Sequence, residues 1–181
     1  MNIQEIIKAW EEAYNPELEK NTISNIDGIK LVSLTGEIAD LLALSISDGY
    51  NKLAKAILEK EYSGKKVNLK SLNKFLIDQS EEKYSLLHFA AQFGNKEMLF
   101  YFIDMGLEIT VDKDLMTPLH SISFAKNLSK TDAIDIINKL HSISPNLVNQ
   151  RDKFNLTPLH YAAYNDNKTI LEALINCGAQ K

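Results

Sequence analysis

Cysteine is nearly absent from this chain of 181 residues. Cys177 stands alone, which excludes an internal disulfide and fits a reducing compartment. Long apolar runs are missing too. No stretch approaches the ~20 residues that cross a bilayer. The N-terminal MNIQEIIKAWEEAY has no basic region followed by an uncharged apolar run, so it does not read as a secretory leader. Arginine is almost missing: of 20 basic residues only Arg151 is not lysine. Glycine and proline are few, while Asn and Ile are abundant. AAA, AAT and ATT codons produce that skew, which points to AT-rich coding rather than to any chemistry. The formal charge of −4 offers no dense cationic patch, which argues against nucleic acid and anionic membrane as partners. What the chain does have is apolar residues, 45% of the total, enough to bury a core.

Catalytic signatures are also missing. There is no His pair at i, i+4 with Glu, no Cys cluster, no other metal spacing, no glycine-rich phosphate loop and no G-x-S-x-G elbow. Neither a catalytic residue, a metal ligand nor a cofactor is expected. Cys177 has no activating partner in sequence and reads as a structural thiol. His141, near the end of an apolar-periodic stretch, reads as a surface or core residue.

Repetition is the positive signal. TPLHSISFAK (117–126) and TPLHYAAYND (157–166) share a tetrapeptide, and SLLHFAAQFG (85–94) is a weaker copy. Thr117 and Thr157 suit helix N-caps. Pro118 and Pro158 then fall at the first helical position, where a missing N–H costs nothing. Leu119 and Leu159 face a core. His120 and His160 lie within a turn of the cap, able to bond the threonine hydroxyl or a neighbouring repeat. Ala90-Ala91 and Ala162-Ala163 keep the helix thin. Downstream, apolar residues at 98, 99, 102, 103 and at 170, 171, 174, 175 mark one face of a second helix. Gly106 and Gly178 end it as left-handed C-caps, and Asn155 stands at a turn site of positive φ.

These residues resemble the ankyrin repeat, whose signature is TPLH at a period near 33. The resemblance covers residues 80–181 and implies an all-α solenoid of stacked antiparallel helix pairs. Three repeats, 80–111, 112–151 and 152–181, are preceded by a degenerate unit in 40–79, where DLLALSISDGYNKLAKAILEK aligns once Gly49 is matched to Gly94. An inserted helix is expected around Leu69, Leu72, Phe75 and Leu76. The third unit is longer, with most of the surplus placed as an insertion over 126–131, where it lengthens a loop or extends a helix. Residues 1–39 match no repeat; Ile3, Ile6, Ile7, Trp10 and Tyr14 line one side of a helix. That segment reads as an N-terminal helical cap or, alternatively, a docking module. Leu171 and Leu174 face an interior that could continue past the last helix.

The resemblance also implies a function: recognition of another protein through the concave face, with no enzyme activity in the chain. Ankyrin contacts typically lie at turn tips and on the exposed side of the first helix. In this chain those slots hold Glu82, Tyr84, Lys113, Asp114, Met116, Lys153, Phe154 and Leu156 at the tips. On the first helices they hold Gln92, Phe93, Phe124, Tyr164 and Asn165. Tyr84, Phe93, Phe124, Phe154 and Tyr164 form either a binding stripe or inter-repeat packing. A monomer in the cytoplasm is expected, without membrane insertion. The coding skew suits an intracellular bacterium that secretes ankyrin effectors into host cytoplasm, and equally a protist or a housekeeping scaffold. Two rivals are the substrate-selecting part of a larger enzyme and a self-associating scaffold.

Overall fold

Helices build the computed structural model, which describes residues 35–59, 61–62, 65–66, 68–126 and 128–180. The chain divides into two compact units, Met1–Phe75 and Leu76–Lys181. The expected cap helix around Trp10 lies outside the described residues.

In the first unit α1 (Thr35–Ser47) and α2 (Asn51–Glu59) form a helical hairpin. Leu41, Leu42 and Ile46 of α1 and Leu53, Ala54 and Ile57 of α2 are buried in it. The turn between them needs Gly49 at φ 77°, a left-handed conformation that a Cβ disfavours. Beyond it Glu61–Tyr62 (β1) pairs antiparallel with Lys65–Lys66 (β2), a ladder too short to alter the all-α class. Helix α3 follows at Leu69–Gln79, with Leu69 and Leu72 buried and the Asn68 side chain accepting from the Ser71 amide at 3.0 Å.

The second unit repeats one motif three times. Its first helices are α4 (Leu86–Gln92), α6 (Pro118–Ser121, continued as a 3-10 turn over Ile122–Phe124) and α8 (Pro158–Tyr164). Its second helices are α5 (Lys96–Asp104), α7 (Lys130–Ile143) and α9 (Lys168–Asn176). Helix α4 packs against α6 and α6 against α8, while α5 packs against α7 and α7 against α9. Neither helix of a pair could shield its apolar face alone, so the pairs must stack. Leu86, Leu87, Ala90, Leu99, Phe102, Leu119, Ile137 and Leu174 are all buried in that stack.

The histidine of each repeat closes the N-terminus of its first helix. The backbone N–H of Ser85, Thr117 and Thr157 donates to Nδ1 of His88, His120 and His160 at 3.3, 3.0 and 3.2 Å. Because a backbone N–H can only donate, Nδ1 is the bare nitrogen and Nε2 carries the hydrogen. In His88 and His120 that hydrogen points into the following repeat. Nε2 of His88 donates to the Met116 carbonyl at 3.0 Å, and Nε2 of His120 to the Leu156 carbonyl at 3.3 Å. All three rings cap their own helices, and those of His88 and His120 also fasten the next unit.

Three helical hairpins use one turn geometry. In the first unit Gly49 N–H bonds Ile46 O, Tyr50 N–H bonds Ser45 O and Asn51 N–H bonds Gly49 O. The triplet recurs at Gly94–Lys96 and at Asp166–Lys168. Asp166 takes the left-handed place at φ 51°, while a Cβ on Gly94 would also meet the Leu128 side chain at 3.1 Å.

The surplus of the third repeat goes mostly into the helix rather than the loop: α7 runs fourteen residues against nine in α5 and α9. Ser129 sets its start by accepting from the Asp132 amide at 3.0 Å. Ala163 is exposed, unlike Ala90, Ala91 and Ala162. Leu174 is buried and Leu171 half-buried, so that pair leaves no open apolar face.

Candidate protein-binding surface

The turn tips precede the first helices and are held by buried aspartates. Asp152 Oδ1 accepts from the amides of Phe154 and Leu156, both at 2.9 Å, while its Oδ2 takes the Tyr161 hydroxyl at 2.6 Å. Asp112 Oδ1 accepts from Asp114 and Met116 in the same way, at 2.8 and 2.9 Å. No tyrosine serves Asp112, because Ser121 occupies the place of Tyr161; the Ser121 hydroxyl is buried without a partner. The two carboxyls diverge accordingly. Burial drives Asp112 above its ordinary range. Burial acts on Asp152 as well, but the Tyr161 hydroxyl and the two amides outweigh it and hold the carboxyl low. Burial and the Asp152 partner push the Tyr161 phenol up. Tyr161→Phe should cost about 1.5–2 kcal/mol, the lower part of the usual range for a bond to a charged acceptor, measured by urea unfolding.

Neighbouring tips are strung together through the backbone. Lys113 N–H donates to Glu82 O at 3.1 Å and Lys153 N–H to Asp114 O at 2.9 Å. The same lysines form side-chain ion pairs, Lys113 with Glu82 at 2.7 Å and Lys153 with Asp114. These four residues are thus spent partly on joining tips, though exposed pairs of this kind contribute little to stability.

Each tip holds one residue in the left-handed region: Lys83 (φ 60°), Leu115 (φ 61°) and Asn155 (φ 64°). Asparagine tolerates this and leucine does not. Leu115→Asn is therefore expected to raise stability by about 0.5–1 kcal/mol, seen as a higher Tm. Leu115 is also an exposed apolar residue that sequence reasoning passed over. Its alignment with Asn155 was the available signal, since a left-handed residue turns its side chain away from the core.

The aromatic residues separate into two rows. Tyr84 and Phe154 sit at the tips, before the first helices. Phe93, Phe124 and Tyr164 sit at the far ends of those helices, about 12 Å away for eight residues of helix. Tyr84 is not free: its ring stacks on His88 of its own repeat at 5.5 Å and 5°, so it belongs partly to packing within that repeat. Phe154 is 60% exposed, with Lys153 Nζ 4.9 Å from its ring centroid. In the second row Phe93 is 44%, Phe124 38% and Tyr164 89% exposed. Phe124 leans on Tyr161 at 5.7 Å, and Tyr161 meets His120 edge-on at 5.9 Å, which ties this row to the seam.

Met116 does not belong on the surface. It is 6% exposed, because the residue before the N-cap turns inward while its carbonyl receives His88. Leu156, its counterpart, is half-buried for the same reason. Gln92 is half-buried. Asn165 is exposed and donates to Ser123 O at 3.3 Å. A separate concavity of about 540 Å³ lies between residues 106–111 and the segment Ile143, Ser144, Leu147 and Gln150. None of the thirteen residues expected to bind a partner lines it, so it is a different surface from the tips.

No grouping of three or more His, Cys, Asp or Glu capable of holding a metal occurs among the described residues. Cys177 is half-buried, its Sγ 3.8 Å from Asn138 Oδ1, and burial pushes its thiol up, away from the reactive thiolate. Among the described residues no helix is long and apolar enough to cross a membrane.

The ankyrin repeat family model matches residues 82–111 and 154–180. No curated protein matches the chain in sequence. Residues 82–111 and 154–180 thus carry ankyrin repeats, and the fold of the second unit is the all-α ankyrin-repeat stack. The unmatched stretch between the two segments holds the pair in which α7 is longer and Ile122-Ser123 replaces the alanine pair. Ankyrin repeats are protein–protein interaction modules, typically without catalysis of their own.

Proposed function

We propose that this chain is a recognition module that binds another protein through the exposed sides of its first helices and its turn tips. The observation that carries the reading is the row Phe93, Phe124 and Tyr164. Three large aromatic side chains stand exposed at the ends of successive first helices, Phe124 and Tyr164 in the same register and Phe93 one residue further along. Aromatic residues bury much area with few rotors, which makes them interface anchors. Phe154, Lys153, Lys113, Asp114 and Glu82 would form a second, more polar line of contact at the tips. Residues 40–79 are read as a further, degenerate repeat with an inserted helix, supported by the turn geometry that Gly49 shares with Gly94. A bacterial effector acting on host proteins is the origin we favour, and a monomer the state.

The test is a pull-down with the whole chain and with Phe124→Ala plus Tyr164→Ala, followed by titration of any recovered partner. Loss of about 100-fold in affinity for the double variant, with unchanged thermal melting, supports the reading, since each anchor is worth about 1–2 kcal/mol. Equal recovery of partners by both forms would remove it.

A further inference from the structure

We propose that the buried imidazoles form an acid-sensitive latch, in which a proton on Nδ1 of His88 or His120 ends the stacking that the neutral rings hold. Both nitrogens of each ring are committed to one tautomer. Nδ1 accepts the cap N–H and lies 2.7 Å from the Ser85 hydroxyl in His88 and 2.9 Å from the Thr117 hydroxyl in His120. Nε2–H donates into the next repeat. A proton added at Nδ1 would point a donor at a backbone donor. The helix would lose its cap, and a cation would be held at rings that are fully buried. The seam and the cap therefore fail together.

The surroundings do not rescue the charge. Tyr84 stacks on His88, and burial lowers that ring to about 4 against the favourable Met116 carbonyl. Around His120 stand the Tyr161 ring, the carboxylates of Asp152 and Asp112, and the carbonyls of Leu156 and Gln150. These partners favour the charged ring, yet burial still wins and His120 is lowered.

The sign follows directly. The unfolded chain takes up the proton near the ordinary 6.5, whereas folded His88 refuses it until about 4. Stability from this ring is complete above pH 6.5 and drains away as pH falls toward 4. At pH 5, His88 alone should lower the ratio of folded to unfolded chain by about 30-fold. Asp152, lowered from 3.8, changes protonation below this window. Asp112 is raised from 3.8 by burial and gains stability as pH falls, the opposite sign, so the His88 contribution is read from the difference between the unmodified chain and His88→Gln.

His160 is the internal control. It makes the same cap bonds, with the Thr157 N–H at 3.2 Å and hydroxyl at 2.7 Å. Yet it is exposed, and no carbonyl among the described residues meets its Nε2. The experiment is a long-range nitrogen–proton NMR titration of the histidines in the unmodified chain from pH 7.5 to 4.5, paired with urea unfolding at each pH. The expected result is His88 neutral and Nε2–H down to about pH 5 in the folded chain, with the fall in stability given above. His88→Gln should flatten the acid slope more than His160→Gln does, because His160 caps its own helix without joining a following repeat. If His88→Gln does not fold, the titration of the unmodified chain decides. A folded-state His88 that protonates near 6.5, or an acid slope that survives in a folded His88→Gln, would overturn the latch.

Discussion

Phe102→Ala is expected to lower unfolding free energy by about 3–5 kcal/mol. Phe102 is wholly buried on α5, which packs on α4 within its own repeat and on α7 of the next. Truncation would open a cavity that spans an intra-repeat and an inter-repeat contact at once. Neighbouring groups cannot easily collapse into it, because α4 is pinned by its histidine cap and α5 by Asn95, whose side chain accepts from the Met98 amide at 3.1 Å. Domains carry only about 5–15 kcal/mol in total, so the variant should fall near the edge of folding. Urea unfolding at pH 7.5 measures it. A loss under about 1 kcal/mol would mean that α5 and α7 do not pack as described.

Asp152→Ala ranks second, at about 3 kcal/mol. Its carboxylate serves two amides and the Tyr161 hydroxyl, and removal leaves three part-buried donors wanting at the tip. The last tip would loosen together with its seam to Asp114. Asp112→Ala should cost less, since Asp112 serves two amides and no tyrosine. Its carboxyl is moreover pushed up by burial, so the folded state holds its charge less firmly. The ordering matters more than either figure. Equal losses would show that the Tyr161 hydroxyl contributes nothing to the turn.

Much of this architecture is written in short-range chemistry. A Thr-Pro pair before Leu-His specifies an N-cap, a first helical residue and a core contact within four positions, so the first helices are legible from 117–120 and 157–160 alone. The paired apolar residues at 98, 99, 102 and 103 likewise announce α5, because helical period needs no knowledge of neighbours. Three features were not legible, and each depends on tertiary surroundings. The extension of α7 follows from where Ser129 caps the helix, a choice that Lys126–Thr131 left open. The inward turn of Met116 follows from its carbonyl being claimed by His88, a residue 28 positions away. The aromatic residues separate into two rows because tips and helix ends lie at opposite ends of one helix, which alignment by slot does not reveal. Residues at the tips were the least readable. Glu82, Lys113, Asp114 and Lys153 pair with one another across repeats, and a linear reading treats them as free.

The most direct test of the account is photo-crosslinking. A benzophenone amino acid would be placed at Tyr164 or Phe124 on the first-helix row, and at Asn138, exposed on the second helix α7, as the comparison. Adducts with a partner from positions 124 and 164, and none from 138, are the predicted result. Adducts arising equally from Asn138, or from that side alone, would contradict recognition through the aromatic ends of the first helices.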